Sequence, residues 1–279
     1  MMRNDKHRAP VLAVIAGLPG VGKSTLLDQV RHETGFPAHL VQDTPAERHA
    51  AADAICDALA LRHSVAVESR CDSPAVLHWM QQAGERGYSV ELVWVGVEGD
   101  ALAARRSRAR RLAKTQVEAT QRRLAVAADL AQRVLCIDNS TAVARMAARI
   151  EHGRISVLDM RPGWIVRRML MPRLARHASL RRIRRAYDAI AAHSPVQPLW
   201  QLAAASGTYT GAVVAATEHH LLQQVGAALH VVHDLGMLAA LPGGMLAMPA
   251  VLTVAYDHAA PDRSQQAAQQ RGHDRGLER

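Results

Sequence analysis

Residues 11–25, VLAVIAGLPGVGKST, constrain this chain more than any other stretch. The apolar run VLAVIAG (11–17) reads as a fully buried strand, and LLDQVRHETG (26–35) reads as a helix ended by Gly35. Between them, Gly17-Leu18-Pro19-Gly20-Val21-Gly22-Lys23-Ser24-Thr25 satisfies GxxxxGK[ST]. Glycines in such a loop let successive backbone N–H groups converge on phosphate oxygens. Lys23 would neutralise the outer phosphates, Ser24 would ligate Mg²⁺, and the following helix would aim its positive end at the anion. The expected ligands are therefore a nucleotide and Mg²⁺, and the loop alone does not separate a kinase from a GTPase, an ATPase or a translocase. No NKxD supplies a guanine reader, and no apolar run ending in DE supplies the acidic signature of motor ATPases.

The first 160 residues alternate strand-like and helix-like segments, the pattern of a parallel α/β sheet. Strands are expected at AHLVQD (38–43), SVAVES (64–69), YSVELVWVGV (88–97) and VLCIDNS (134–140). Helices are expected at AERHAAADAICDALALR (46–62) behind Pro45, at PAVLHWMQQAGERG (74–87), and across an arginine-rich region near 100–134. The predicted class is an α/β fold of P-loop NTPase type: a mainly parallel sheet flanked by helices, with a helical C-terminal extension. The boundaries expected are a tail at 1–9, a P-loop domain at 10–165, a helical extension at 166–256 and a disordered polar tail at 257–279. The extension carries RRMLMPRLARHASLRRIRRAYDAI, which interleaves arginines with aliphatics, and residues 197–237 read as one or two further helices. On that reading His219, His220, His230 and His233 are helix-surface histidines rather than metal ligands.

Composition narrows the partners. A net charge of +9 and a pI near 10.3 suit nucleotides, nucleic acid or an acidic protein. No zinc finger, helix-turn-helix or RNP aromatic signature supports specific nucleic-acid recognition. The three cysteines, Cys56, Cys71 and Cys136, lack CxxC spacing, which points to a reducing cytoplasm rather than a disulfide framework. The basic start followed by an apolar run superficially resembles a signal peptide, but cleavage there would destroy the GKS motif. Residues 235–256 are uncharged and long enough to span a membrane, yet Pro242, Pro249 and Gly243-Gly244 interrupt them, so a buried hairpin or loop is expected.

A nucleotide loop names a donor and leaves the acceptor open. Asp43 falls at the end of the second expected strand, where strand carboxyl ends gather around a ligand crevice. A carboxylate there can take the proton of an attacking hydroxyl; the same residue could equally cap the helix behind Pro45. The run VAVESRCDSPAVLHWMQQAGERGYSVELVWVGVEGDALAARRSRARR (65–111) resembles the zeta-toxin family of P-loop kinases, including UDP-N-acetylglucosamine kinases. The likeness lies in a strand ending in Glu68, a helix ending in A-x-x-x-GY, a V-x-L-V-x-V strand and a helix with R-x-x-x-R. With the P-loop, Asp43 and the strand ending in Asp138-Asn139-Ser140, it covers about residues 10–145.

That resemblance implies an ATP-dependent kinase acting on a small-molecule hydroxyl, typified by UDP-N-acetylglucosamine. Asp43 and Lys23 would be catalytic together with Arg106 and Arg110, while Glu68, Arg122 and Arg123 would hold substrate or the moving phosphate. An antitoxin or other acidic protein becomes a candidate partner, and a membrane does not. The chain departs from the family at Val41, where a polar residue is usual, and at LAKTQVEAT, where a Gly-Gly-His turn is common. A polynucleotide or nucleoside kinase, and a non-catalytic ATP-binding switch with a partner-binding extension, are the alternatives.

Overall fold

The computed structural model describes residues 9–27, 40–99, 114–141, 143–204, 206–238 and 251–256. Its contacts divide the chain into two compact units, Met1–Leu174 and Ala175–Arg279.

The first unit is built on a seven-stranded sheet. Its strands are β1 (Val11–Ala16), β2 (Leu40–Asp43), β3 (Val65–Ser69), β4 (Ser89–Gly96), β5 (Arg133–Asp138), β6 (Arg145–Glu151) and β7 (Arg154–Leu158), in the order β2-β3-β1-β4-β5-β6-β7. The first five pair in parallel and the last two antiparallel, so the sheet is mainly parallel, as the alternating pattern predicts. Central β1 is buried at every position from Leu12 to Ala16, because a parallel strand between layers must be apolar on both faces. Helices α1 (Arg48–Ala60), α2 (Ala75–Glu85) and α3 (Lys114–Leu130) belong to the same unit. The apolar face of α2 is expressed as a run of buried Val76, Leu77, Trp79, Met80 and Ala83. A short α4 (Gly163–Ile165) continues through a π-helical stretch, Val166–Leu170, into α5 (Met171–His193).

The antiparallel β6–β7 hairpin was not expected from the sequence. The first, RMAARIE, is rich in Arg and Ala, which have weak strand preference, and the second, RISVL, is only five residues long. The turn nevertheless carries a local signal: His152 and Gly153 both adopt left-handed backbone, with φ of 48° and 77°. Two consecutive residues in that region make the tight turn that matches strand twist, and Gly153 takes it without strain.

The second unit corrects the helical reading of residues 197–237. Helix persists only to His193; beyond it lie β8 (Leu199–Leu202), β9 (Gly207–Ala216), β10 (His220–Gln224), β11 (Leu229–Asp234) and β12 (Val251–Tyr256). They form one five-stranded sheet in the order β12-β9-β10-β11-β8. Ile183 and Tyr187 of α5 pack on Leu222 and Val232 of this sheet. Tyr187 also donates its hydroxyl to the Pro198 carbonyl at 2.6 Å.

The histidines expected on a helix surface therefore sit on strands, and His220, His230 and His233 are buried. His233 is fixed by a closed network. Its Nε2 donates to Gln223 Oε1 at 2.9 Å, and its Nδ1 accepts from the Tyr256 hydroxyl at 2.8 Å. Gln223 Nε2 in turn donates to the carbonyls of Gly211 and Leu252 at 3.1 and 2.7 Å. This assignment of donors leaves Nδ1 of His233 neutral and unprotonated.

Burial pulls the His233 pKa from 6.5 down to about 4. Its folded pKa is depressed, so the neutral ring supports the fold fully above the unfolded pKa. That support is lost as pH falls from about 6.5 towards 4, by about 3 kcal/mol at most. Urea unfolding followed through this window should show the second unit weakening with acid, and His233→Gln should flatten that dependence. An equal pH slope in both proteins would count against the assignment.

Among the described residues no helix is long and apolar enough to cross a membrane. Most of the uncharged stretch 235–256 lies outside the described residues, which include only Leu235–Leu238 and β12 from it.

Candidate active site at the strand carboxyl ends

The loop after β1 has the geometry that its glycines allow. At Gly17 an added Cβ would meet the Val95 carbonyl oxygen at 2.4 Å, so no side chain fits against β4. Leu18 and Val21 point into the core with Ile15, Leu26 and Val93, which anchors the loop from beneath. Residues 23–27 are helical, as the motif requires. Lys23 is buried, and its Nζ donates to the carbonyls of Gly17 and Leu18 at 2.9 and 3.4 Å. Burial lowers the Lys23 pKa, and neighbouring Glu68 opposes that shift.

Pairing with β3 brings in the second component. Register sets Glu68 beside Ile15, and its carboxylate accepts the Ser24 hydroxyl at 3.0 and 3.2 Å. The resemblance assigns Glu68 to the substrate, and the structure sets its carboxylate on the Ser24 hydroxyl. Strand order supplies what the motif search could not: β3 is the direct neighbour of β1.

Asp43 ends β2, next to β3, and is 1% exposed. Its Oδ2 accepts the Ser69 hydroxyl at 2.7 Å and its Oδ1 accepts Arg48 Nε at 3.2 Å. The helix-cap alternative is not what the geometry shows. Thr44, not Asp43, takes the Glu47 N–H at 3.3 Å, and Thr44 returns its hydroxyl to the Glu47 carboxylate at 3.0 Å. Ser69 is held in turn by the Cys71 N–H at 3.0 Å. Cys71 is buried beside this carboxylate, and burial pushes its thiol up to about 12, so it is no nucleophile.

The arginines separate. Arg122 is exposed, whereas Arg123 is half-buried on α3 and donates to the Asp72 carbonyl at 2.9 Å. Among the described residues its Nε is buried without a hydrogen-bond partner, and burial lowers its pKa. Arg106 and Arg110 lie outside the described residues.

One further residue supports the loop, and its neighbour is tied to elements beyond it. Asn139, just past β5, donates to the Val21 carbonyl at 2.8 Å. Buried Asp138 accepts Ser140 at 2.6 Å, Arg145 at 3.3 Å and the Trp164 indole at 3.0 Å. Of residues 138–140, Asn139 alone reaches the loop, while Asp138 and Ser140 tie β5 to Glu98, Arg145 and Trp164.

Comparison with known proteins adds the following. The KfrB domain family matches residues 208–259, which span β9 to β12 and contain the Gly211, Gln223, His233 and Tyr256 network. No curated protein matches this chain. Among solved structures the chain is similar to one from the PezAT chromosomal toxin–antitoxin system of Streptococcus pneumoniae. That pair is 12% identical over 49% of this chain and 72% of the other, with a TM-score of 0.35. It is also similar to AvrRxo1-ORF1:-ORF2 with ATP, at 15% identity over 60% and 65% of the two chains and a TM-score of 0.40. A gluconokinase from Sinorhizobium meliloti aligns at 17% identity over 48% and 86%, with a TM-score of 0.30.

Proposed function

We propose that the first unit is an ATP-dependent phosphotransferase of zeta-toxin type, moving the γ-phosphoryl group to a hydroxyl of a small molecule. The observation that carries this reading is one alignment of strand ends. Asp43, Glu68 and the P-loop leave the carboxyl ends of three successive strands in the sheet, β2, β3 and β1. Phosphoryl transfer needs a phosphate cradle, a metal-binding oxygen pair and a base on one rim, and little covalent chemistry beyond positioning.

Each residue then has a task. The loop from Gly17 to Thr25 would hold the phosphates, with Lys23 on the outer ones. The Ser24 hydroxyl and Glu68 carboxylate, 3.0 Å apart, are hard oxygen donors that suit Mg²⁺. Mg²⁺ would offset charge between the phosphates as the bond to the leaving oxygen breaks. On this reading Glu68 serves the metal side of the site rather than the acceptor. Asp43 would take the acceptor proton, and Arg123, with its unpartnered Nε, would meet charge on the transferred group.

UDP-N-acetylglucosamine is the acceptor to try first, and an acidic antitoxin the partner to look for. The occupied state of Asp43, with both oxygens already bonded, supports one competing reading, a nucleotide switch that performs no transfer.

The test is a screen of cell metabolites, with UDP-N-acetylglucosamine included, for an ATP-dependent gain of one phosphate mass. A product should form with the native protein and disappear with Lys23→Ala. Tight ATP binding with no phosphorylated product in the whole pool would favour the switch.

A further inference from the structure

Arg48 does more around Asp43 than balance its charge. It is the first residue of α1, and its guanidinium is shared: Nε donates to Asp43 Oδ1 at 3.2 Å, and an Nη donates to Asp72 Oδ1 at 2.6 Å. The two sides of Asp43 are unequal. Oδ2 accepts the hydroxyl of buried Ser69, whose oxygen in turn accepts the Cys71 N–H, so this side is held at both ends. Cys71 is itself locked in a left-handed conformation, with φ of 51°, which fixes that side rigidly. Oδ1 meets a side chain that is one-fifth exposed, through the longer of its two bonds.

Only Oδ1 can therefore open to an incoming hydroxyl. We propose that Arg48 occupies the place of the acceptor hydroxyl at Asp43 Oδ1, and that Asp72 is the anchor to which Arg48 retires when the acceptor displaces it. Arg48 and Asp72 are positioning residues that keep the base covered until an acceptor arrives. The inference rests on Asp43 being the base. Its chemical consequence concerns water. With Oδ1 covered, a water molecule cannot lose its proton to Asp43, so no new bond forms from water oxygen to the γ-phosphorus. The bond from that phosphorus to the bridging oxygen then stays intact, and ATP is not spent without an acceptor.

The experiment is ATP hydrolysis with water as the only acceptor, together with binding of a fluorescent ATP analogue. Arg48→Ala and Arg48→Met should raise hydrolysis by about tenfold, the scale of one charge-assisted hydrogen bond removed from the base. Asp72→Asn should lower it, because Arg48 then has no second place to go. The double variant Arg48→Ala/Asp72→Asn should behave as Arg48→Ala, since Asp72 acts only through Arg48. Nucleotide affinity should stay unchanged in all four, which also certifies that they fold.

A purely structural arginine gives the opposite sign: equal or reduced hydrolysis in both Arg48 variants with normal nucleotide binding overturns the proposal. Failure of the base reading looks different. Asp43→Asn combined with Arg48→Ala should return hydrolysis to the native level or below. If the raised rate survives that second change, it is the assignment of Asp43 that falls.

Discussion

Asp43→Asn should leave ATP affinity within about twofold of native and cut phosphoryl transfer by about 10²–10⁴-fold, the usual contribution of a positioned base. The amide has the same shape, and the contacts of the P-loop do not include it, so nucleotide binding has no reason to change. What the amide lacks is the lone pair that takes the acceptor proton. It also brings two N–H donors into a slot where Ser69 and Arg48 both donate, so one of those contacts must turn away. A small loss of stability is therefore expected beside the large loss of rate. Transfer kinetics against the acceptor found by mass, with ATP saturating, separates the two effects. A variant that retains native kcat would show that proton removal lies elsewhere, and the role of Asp43 would become structural.

Trp164→Ala should cost the first unit about 3–5 kcal/mol, the range for a large aromatic removed from a well-packed interior. Trp164 is fully buried and makes four contacts. Its ring covers Gly96 so closely that a Cβ there would lie 2.5 Å away. Its indole N–H donates to Asp138 at 3.0 Å, and its backbone N–H donates to Glu98 at 3.1 Å. It also tilts against Trp94, with ring centres 6.2 Å apart. The substitution leaves a cavity in the core and removes the indole donor from an aspartate that is 1% exposed. Urea unfolding followed by ATP-analogue release is the measurement, since Asp138 adjoins Asn139, which donates to the Val21 carbonyl of the proposed phosphate loop. Trp164→Phe keeps most of the volume and should lose only about 1–3 kcal/mol, the part due to the missing donor. Equal losses in both variants would mean that the hydrogen bond, not the ring, carries the effect.

The parts of this molecule that were legible in its sequence are those decided within a few residues. The P-loop is one, because positive φ and close backbone approach demand glycine wherever they occur, and the strand before it must be apolar to be buried in a parallel sheet. The alternation of strands and helices through β5 was legible for the same reason: burial on both faces writes a continuous apolar run. The β6–β7 hairpin and the sheet of the second unit were not. Their short strands mix aliphatics with Ala, Gln, His or Arg without strict alternation, and β9 to β12 share a buried chain of polar contacts from Gly211 through Gln223 and His233 to Tyr256. Residues that satisfy one another across tens of positions leave no local period.

The candidate site divides along the same line. Sequence by itself determined the phosphate loop, Lys23 and Ser24, and pointed to Asp43 with a helix cap left as its rival. Tertiary structure decided the rest. It set Thr44 on the Glu47 N–H and Asp43 against Ser69 and Arg48, set Glu68 against Ser24 from 44 residues away, and half-buried Arg123 while leaving Arg122 in solvent. The physical reason is that a backbone conformation is a property of a short segment. The partner of a carboxylate is a property of strand order, and strand order exists only once the sheet has formed.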